Sequence, residues 1–118
     1  TRRIDHGDGE QANIRKLVRE TLRMRPGRLV VGEVRGEEVF DMIAAMSIGL
    51  AGSLSTLHAG SVSGAVHRLE SLYASATAGQ SGINPSQALR DAIDAIVFLH
   101  RDASGRRLVS EIHRLERA

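Results

Sequence analysis

Glu33 and His58 are the residues whose types and positions best suit chemistry on a shared ligand. Glu33 follows the short apolar run 29–31, and His58 closes the period-two segment 53–58. If these two segments are neighbouring parallel strands, a carboxylate and an imidazole project from one edge of the sheet, about 5 to 10 Å apart. We therefore expect a ligand to bind between them, at the carboxyl ends of the strands.

Glycines are frequent around these two residues. They would let the loops approach closely and would leave backbone N–H groups available to an anion. The glycines expected on the same side of the sheet are Gly32, Gly36, Gly49 and Gly52. Alone, Glu33 could be an acid that the dipole of the following helix stabilises, and His58 could be a histidine bonded to backbone at a strand end. Their position at one predicted edge favours a functional site over these two structural interpretations.

The other chemistry-bearing residues form no recognisable site. The sequence contains neither an HExxH nor a CxxC pattern, and Ser53 and Ser55 lie outside any G-x-S-x-G elbow, so we expect neither a direct metal site nor a serine hydrolase. The remaining histidines lack metal-ligand spacing: His6, His67, His100 and His113.

Composition describes an ordinary globular domain or part of one, with 118 residues, 42% of them hydrophobic and 25% charged. No apolar stretch approaches the ~20 residues of a membrane-spanning helix, no secretory signal pattern opens the chain, and the absence of cysteine excludes disulfides. The formal net charge is only +2, and basic residues alternate with acidic ones. This pattern favours solvated helix faces over a nucleic-acid-binding surface.

Hydrophobic periodicity predicts an α/β fold whose first half contains a βαβ unit with parallel strands. The elements expected there are a loop at 5–10, a helix from its N-cap Asn13 to Pro26, a strand at 28–32 buried on both faces, a helix at 37–48 and a strand at 53–58.

The second half is predicted to contain two helices and a terminal hairpin. The elements expected there are a helix at 62–76, a surface loop at 77–83, a helix that Asn84 caps and Pro85 begins, and strands at 95–99 and 107–112 joined by a turn at 102–105.

Two segments carry a specific resemblance. Residues 22–36, which contain Gly32-Glu33, resemble the atypical Walker B segment of the type II/type IV secretion ATPase superfamily, and residues 52–59 resemble its histidine box. The two occur in order and are separated by one helix. Together with residues 64–70, these residues are most similar to the Tad/Flp pilus-assembly ATPases, with conjugation-type secretion ATPases next. The resemblance extends over nearly the whole chain.

The resemblance implies the C-terminal part of a RecA-like P-loop NTPase domain, within a hexameric motor that uses ATP and Mg²⁺. Such motors work at the cytoplasmic face of the inner membrane, with membrane platform proteins as partners, and drive pilus assembly or secretion. By the same resemblance, Glu33 orients or deprotonates the attacking water, His58 senses the γ-phosphate, and Arg35 ties the edge together electrostatically. Supporting positions are Gly32, Gly36 and Thr56.

The sequence also departs from the family pattern. Leu50, Gly27 and Gly60 stand where the family commonly has His, Asp and Asn, and no G-x-x-x-x-G-K-[ST] motif occurs anywhere. Residues 1–118 are therefore expected to be a partial RecA-like domain that is nearly inactive in isolation. Two alternatives remain open, namely a degenerate non-catalytic assembly subunit and a conjugation-type ATPase that moves DNA.

Overall fold

The computed structural model describes residues 7–78 and 80–116, with side chains described from residue 14 onward. This part of the chain contains four helices and four strands. In chain order they are α1 (Gly7–Leu22), β1 (Val30–Val31), α2 (Glu38–Ser47), β2 (Leu54–Ser55), α3 (Val62–Ala76), α4 (Pro85–Ala92), β3 (Ala95–Arg101) and β4 (Arg107–Arg114).

The predicted βαβ unit is present, because β1 and β2 pair in parallel and α2 connects them. The ladder proper is short, but one backbone bond extends it at each end. Leu54 N donates to Leu29 O over 3.0 Å, and Val34 N donates to Thr56 O over 2.9 Å. The carboxyl ends of both strands therefore meet at one edge, where ligands bind in parallel sheets.

Helix α2 lies at the centre of the core. Its apolar positions recur at helical spacing, so Val39, Met42 and Ile43 are buried together and pack with Leu69 of α3 and Leu89 of α4. The observed helix agrees with the segment predicted at 37–48. Packing around α2 thus fixes the loop that enters it from β1.

Side-chain caps set the starts of the last two helices. Asn84 Oδ1 accepts a hydrogen bond from Gln87 N over 3.2 Å, and Pro85 occupies the first helical position, as predicted. Ser61 caps α3 in the same way, accepting from Gly64 N over 3.0 Å. The observed α3 has the predicted bounds.

The predicted terminal hairpin is also present. Strands β3 and β4 are antiparallel, with Val97 opposite Ile112 and a register shift between Phe98 and Leu99. Both strands extend slightly beyond their predicted ends, to Arg101 and Arg114. The parallel βαβ core with helices and a C-terminal hairpin is the fold class that the sequence indicated.

The start of the chain was predicted wrongly. Helix α1 begins at Gly7, so Asn13 lies inside the helix and is not its cap, while residues 5 and 6 fall outside the described part. Polar composition suggested a loop, yet Glu10, Gln11 and Ala12 are all good helix formers. The propensity of these three residues accounts for the earlier start.

The first strand is not buried on both faces. Val31 is 8% exposed, but Val30 is 68% exposed and its partner Leu54 is 64% exposed. Within the described residues, the core covers only the face of the pair that carries Val31. The second strand is also shorter than predicted, and beyond Ser55 its pairing with the first strand continues through the Thr56 carbonyl.

No helix in residues 7–78 and 80–116 is long and apolar enough to cross a membrane.

Candidate functional site

Glu33 lies just past the carboxyl end of β1 and contacts two basic side chains. Its Oε2 accepts a hydrogen bond from Arg35 Nη2 over 2.6 Å, and its Oε1 is 3.1 Å from His58 Nε2. Glu33 is 25% exposed, whereas His58 is 89% exposed. The structure thus brings both predicted residues to one edge, in direct contact, which is closer than the separation estimated from strand spacing.

Thr56 joins the two segments that carry these residues. Its Oγ1 donates to Gly32 O, and its carbonyl accepts from Val34 N. These bonds continue the pairing of β1 and β2 past the last ladder residues. Because Glu33 lies between Gly32 and Val34, and His58 lies two residues after Thr56, the bonds hold the carboxylate and the imidazole side by side.

The charge of Glu33 is stabilised by its neighbours. The hydrogen bond from Arg35 lowers the pKa of the Glu33 carboxyl, partial desolvation opposes this, and the positive charges of Arg35, His58 and Arg68 lower the pKa further. Glu33 is therefore ionised throughout the neutral pH range. Each carboxylate oxygen has two lone pairs, so each can still accept a bond from water.

A guanidinium and an imidazole face solvent beside this carboxylate. The Arg35 side chain is 71% exposed, and that of His58 is 89% exposed. An anionic ligand arriving from solvent would meet the guanidinium and the imidazole and would be repelled by Glu33 itself. The arrangement suits a ligand whose negative charge lies on the guanidinium and whose reacting atom faces the carboxylate.

Glu38, in the first turn of α2, is a residue that the sequence reasoning missed. It is 1% exposed, and its Oε1 accepts from Arg35 N over 2.6 Å and from Gly36 N over 3.1 Å. Gly36 N is therefore not available to an anion, contrary to the prediction. An acid directly before the apolar residues of α2 was the available signal, because carboxylates are favoured near helix N-termini.

Gly49 and Gly52 do not lie on the predicted side. Both precede β2, so they are near the amino ends of the parallel strands, whereas Glu33 and His58 follow the carboxyl ends. Gly52 has a backbone requirement instead, since its φ is +80° and an added Cβ would lie 3.0 Å from Arg28 Nε. Of the four glycines, only Gly32 and Gly36 belong to the candidate site.

A buried carboxylate also joins α1 to α2. Asp41 is 6% exposed and accepts from Arg15 Nε over 2.7 Å and from Arg19 Nε over 3.0 Å. The hydrogen bond from Arg15 to Asp41 raises the pKa of the guanidinium, against the opposing effect of burial. This network fixes α1 against the helix that follows the Glu33 loop.

Three positions depart from the family pattern. Leu50 packs against the core, and its carbonyl accepts from Ser53 Oγ over 2.7 Å. No atom lies within 4 Å of an added Cβ at Gly27 or Gly60. In the part of the chain that the structure describes, no group of three or more His, Cys, Asp or Glu residues could hold a metal ion.

Comparison with known proteins identifies a family match and several relatives. The family model described as type II/IV secretion system protein matches residues 3–111. A putative conjugal transfer protein of Mycobacterium tuberculosis is 40% identical over 112 residues, covering 95% of this chain and 31% of that protein. The conjugal transfer protein TrbB of Rhizobium radiobacter is 33% identical over 104 residues, covering 88% of this chain and 31% of that protein.

A solved relative has the same fold. The crystal structure of the VirB11 ATPase from the Brucella suis type IV secretion system, in complex with sulphate, matches with a TM-score of 0.73 and 29% identity over 84% of this chain. The chain covers 31% of that structure, about the same share as in the relatives above. These matches confirm the superfamily and the RecA-like fold, while the closer likeness to Tad/Flp ATPases stays a prediction. The chain belongs to the type II/IV secretion system protein family.

Proposed function

We propose that this chain is part of an ATP-hydrolysing secretion or conjugal-transfer motor, in which Glu33 positions the attacking water and His58 faces the γ-phosphate. One observation carries the proposal. At the edge where two parallel strands end, the Glu33 carboxylate is held between the Arg35 guanidinium and the His58 imidazole. The solved relative with this fold is named an ATPase, which supports the same reaction here.

In phosphoryl transfer, the protein itself carries out little covalent chemistry. The protein must place the nucleophile in line and neutralise the charge on the transferred group. Arg35 and His58 face solvent, where they can contact negative phosphate oxygens. The lowered pKa of Glu33 makes it a weak base, so its stronger contribution is to orient water by accepting hydrogen bonds.

The described residues fit one end of a nucleotide site. The exposed Arg35 guanidinium beside Glu33 complements the charge of a polyphosphate, and Arg68 adds positive potential there. Magnesium, when bound, supplies further neutralisation of phosphate charge. No group of three or more His, Cys, Asp or Glu residues in the described ranges could hold the ion, so this proposal assigns no direct magnesium ligand to these residues.

We further propose that residues 1–118 form a partial RecA-like domain. The sequence has no G-x-x-x-x-G-K-[ST] motif, and the chain spans about a third of the length of its curated relatives. The loop that cradles the phosphates and the hydroxyl that binds magnesium would then come from other parts of the protein. In this proposal the isolated chain is nearly inactive, because it supplies only the water-positioning half of the site.

Assembly and cargo extend the proposal to the whole protein. We propose a homo-hexamer, peripheral at the cytoplasmic face of the inner membrane, that works with the platform proteins of its machine. The relatives named conjugal transfer proteins favour DNA transfer as an alternative to pilin or protein secretion. A non-catalytic subunit is the other alternative. It is motivated by Leu50, which packs in the core where the family commonly has histidine, and by Gly27, which stands where the family commonly has Asp.

The test is Glu33→Gln in the full-length protein. The amide keeps the size of the side chain but loses the charge that orders water, so turnover of ATP should fall about a hundredfold or more while nucleotide affinity is retained. Steady-state hydrolysis and equilibrium nucleotide binding are the measurements. Glu37→Gln is the matched control, because Glu37 is exposed and does not touch the Glu33 loop in any described contact.

An unchanged turnover in the Glu33→Gln protein would remove Glu33 from its assigned role. Hydrolysis that is absent from the wild-type hexamer, with nucleotide still bound, would favour the non-catalytic subunit instead.

A further inference from the structure

The loop between β1 and α2 must satisfy the backbone N–H groups that it exposes as it turns into the helix. Val34 N finds Thr56 O at 2.9 Å, and both Arg35 N and Gly36 N find Glu38 Oε1. Three consecutive N–H groups are thereby fixed, one by the neighbouring strand and two by a single carboxyl group. The conformation of the loop depends on these bonds because buried N–H groups need partners.

Glu38 holds this position at a cost to stability. It is 1% exposed, and within the described residues its Oε2 has no hydrogen-bond partner. A buried carboxyl group with one unpartnered oxygen is less favourable than an apolar side chain of similar size. An apolar residue at this position could not accept the two hydrogen bonds from the loop N–H groups.

The adjacent acid shows that location alone does not explain these contacts. Glu37 is the N-cap residue of α2, yet its side chain makes no capping hydrogen bond. It is 49% exposed and pairs with Arg15 over 3.1 Å. Of two successive glutamates at the start of one helix, only Glu38 turns back into the loop.

We infer that Glu38 is a positioning residue that holds the 33–36 loop so that Arg35 and Glu33 meet, an inference that rests on the proposed role of Glu33. Glu38 fixes the backbone of Arg35, whose guanidinium then lies 2.6 Å from the Glu33 carboxylate. Glu38 contacts the loop through the backbone N–H groups of Arg35 and Gly36. Its expected effect on the reaction is to hold this loop in place.

The experiment compares three substitutions at one position. Glu38→Gln keeps an oxygen that can accept both N–H bonds, Glu38→Asp keeps the carboxyl group but is one methylene too short, and Glu38→Ala removes the acceptor. In the full-length protein we expect kcat to fall about tenfold to a hundredfold in the Asp and Ala variants, with KM little changed, and to be largely restored in the Gln variant. Glu37→Ala is the matched control, with no effect on kcat expected.

A second readout does not depend on hydrolysis. Amide hydrogen exchange of Arg35 and Gly36 should speed up about tenfold or more in the Asp and Ala variants and stay slow in the Gln variant. If the Ala variant does not fold, comparison of the Asp and Gln variants still tests whether Glu38 holds the loop. Equal losses in Asp, Gln and Ala variants, or unchanged kcat alongside fast exchange, would overturn the inference. If the wild-type protein does not hydrolyse ATP, the proposed function fails, and the exchange rates still test whether Glu38 holds the loop.

Discussion

The α/β half of the molecule, formed by α1, β1, α2, β2, α3 and α4, differs sharply from the β3–β4 hairpin in how it is held together. In the α/β half, Val39 and Leu89 are both 0% exposed. In the hairpin, Val97 is 53% exposed and Ile112 is 65% exposed. Helix packing therefore stabilises the first region, whereas the backbone ladder and its turn stabilise the second.

In each region, one carboxyl group accepts hydrogen bonds from the backbone N–H groups of a loop. The carboxyl group of the α/β half is buried, whereas that of the hairpin is accessible to water. Glu38 is buried, so water cannot replace its bonds to the loop N–H groups. Asp102 lies at the surface, where its Oδ1 accepts from Ser104 N and Arg106 N, each over 2.9 Å. Equivalent hydrogen bonds should thus matter most where solvent is excluded.

The largest expected difference between the two regions concerns apolar side chains. Leu89→Ala opens a cavity in the closed core and should lower the free energy of unfolding by about 3 kcal/mol. Ile112→Ala, its matched control in the hairpin, removes an exposed side chain and should change this free energy by less than about 0.5 kcal/mol. Urea unfolding of the two variants measures both effects. A large loss in the Ile112→Ala variant would mean that the hairpin face is covered in solution.

A smaller and local effect is expected at the hairpin turn. Asp102→Ala removes the acceptor of the turn N–H groups, but water can take its place because the Asp102 side chain is 27% exposed. Amide exchange at Ser104 and Arg106 should become faster, while the unfolding midpoint in urea stays close to that of the wild type. Asp102→Asn keeps an accepting oxygen and should preserve slow exchange. A cooperative loss of the whole fold would contradict the contrast between the two loops.

The smallest expected effect is a change in the pKa of Glu33 at the candidate site. Arg35→Ala removes the main group that lowers the pKa of Glu33, so this pKa should rise toward its ordinary value of 4.5. In the wild type, the lowered pKa contributes stability that is present above the unfolded-state pKa and lost as the pH falls through the folded-state pKa. The Arg35→Ala protein should therefore lose less stability on acidification.

Titration of the Glu33 carboxyl carbon by NMR measures this change. Arg23→Ala removes an equal charge beside Glu20 and serves as the control. A Glu33 pKa that does not move in the Arg35→Ala protein would show that the ion pair is absent in solution.

Sequence patterns were sufficient for most elements of this fold. The β-branched run before Gly32, the Asn84-Pro85 start and the hairpin turn each carry a local signal, and each predicted an element that the structure contains. The pairing of Glu33 with His58 followed from strand order alone, because parallel strands end at one edge.

The features that the sequence did not predict depend on contacts between distant residues or on which face of the β1–β2 pair is covered. The exposure of Val30 could not be read from its apolar neighbours, since it depends on which face the helices cover. The role of Glu38 was hidden because a helix-start acid predicts a dipole interaction and not a bond to a preceding loop. The start of α1 was missed because a polar, glycine-containing segment resembles a loop even when good helix formers follow.

The Glu33 carboxylate joins one neighbour in its own loop to another that is far along the chain. The Arg35 contact needs only a short piece of backbone, whereas the His58 contact requires that the whole intervening segment, including α2, return to the same place. Closing a flexible segment of this length would cost roughly 3 kcal/mol of chain entropy. Pairing of β1 with β2 has already closed it, so the imidazole meets the carboxylate with little further loss of chain freedom. A separation of the two strands would therefore also separate the imidazole from the carboxylate.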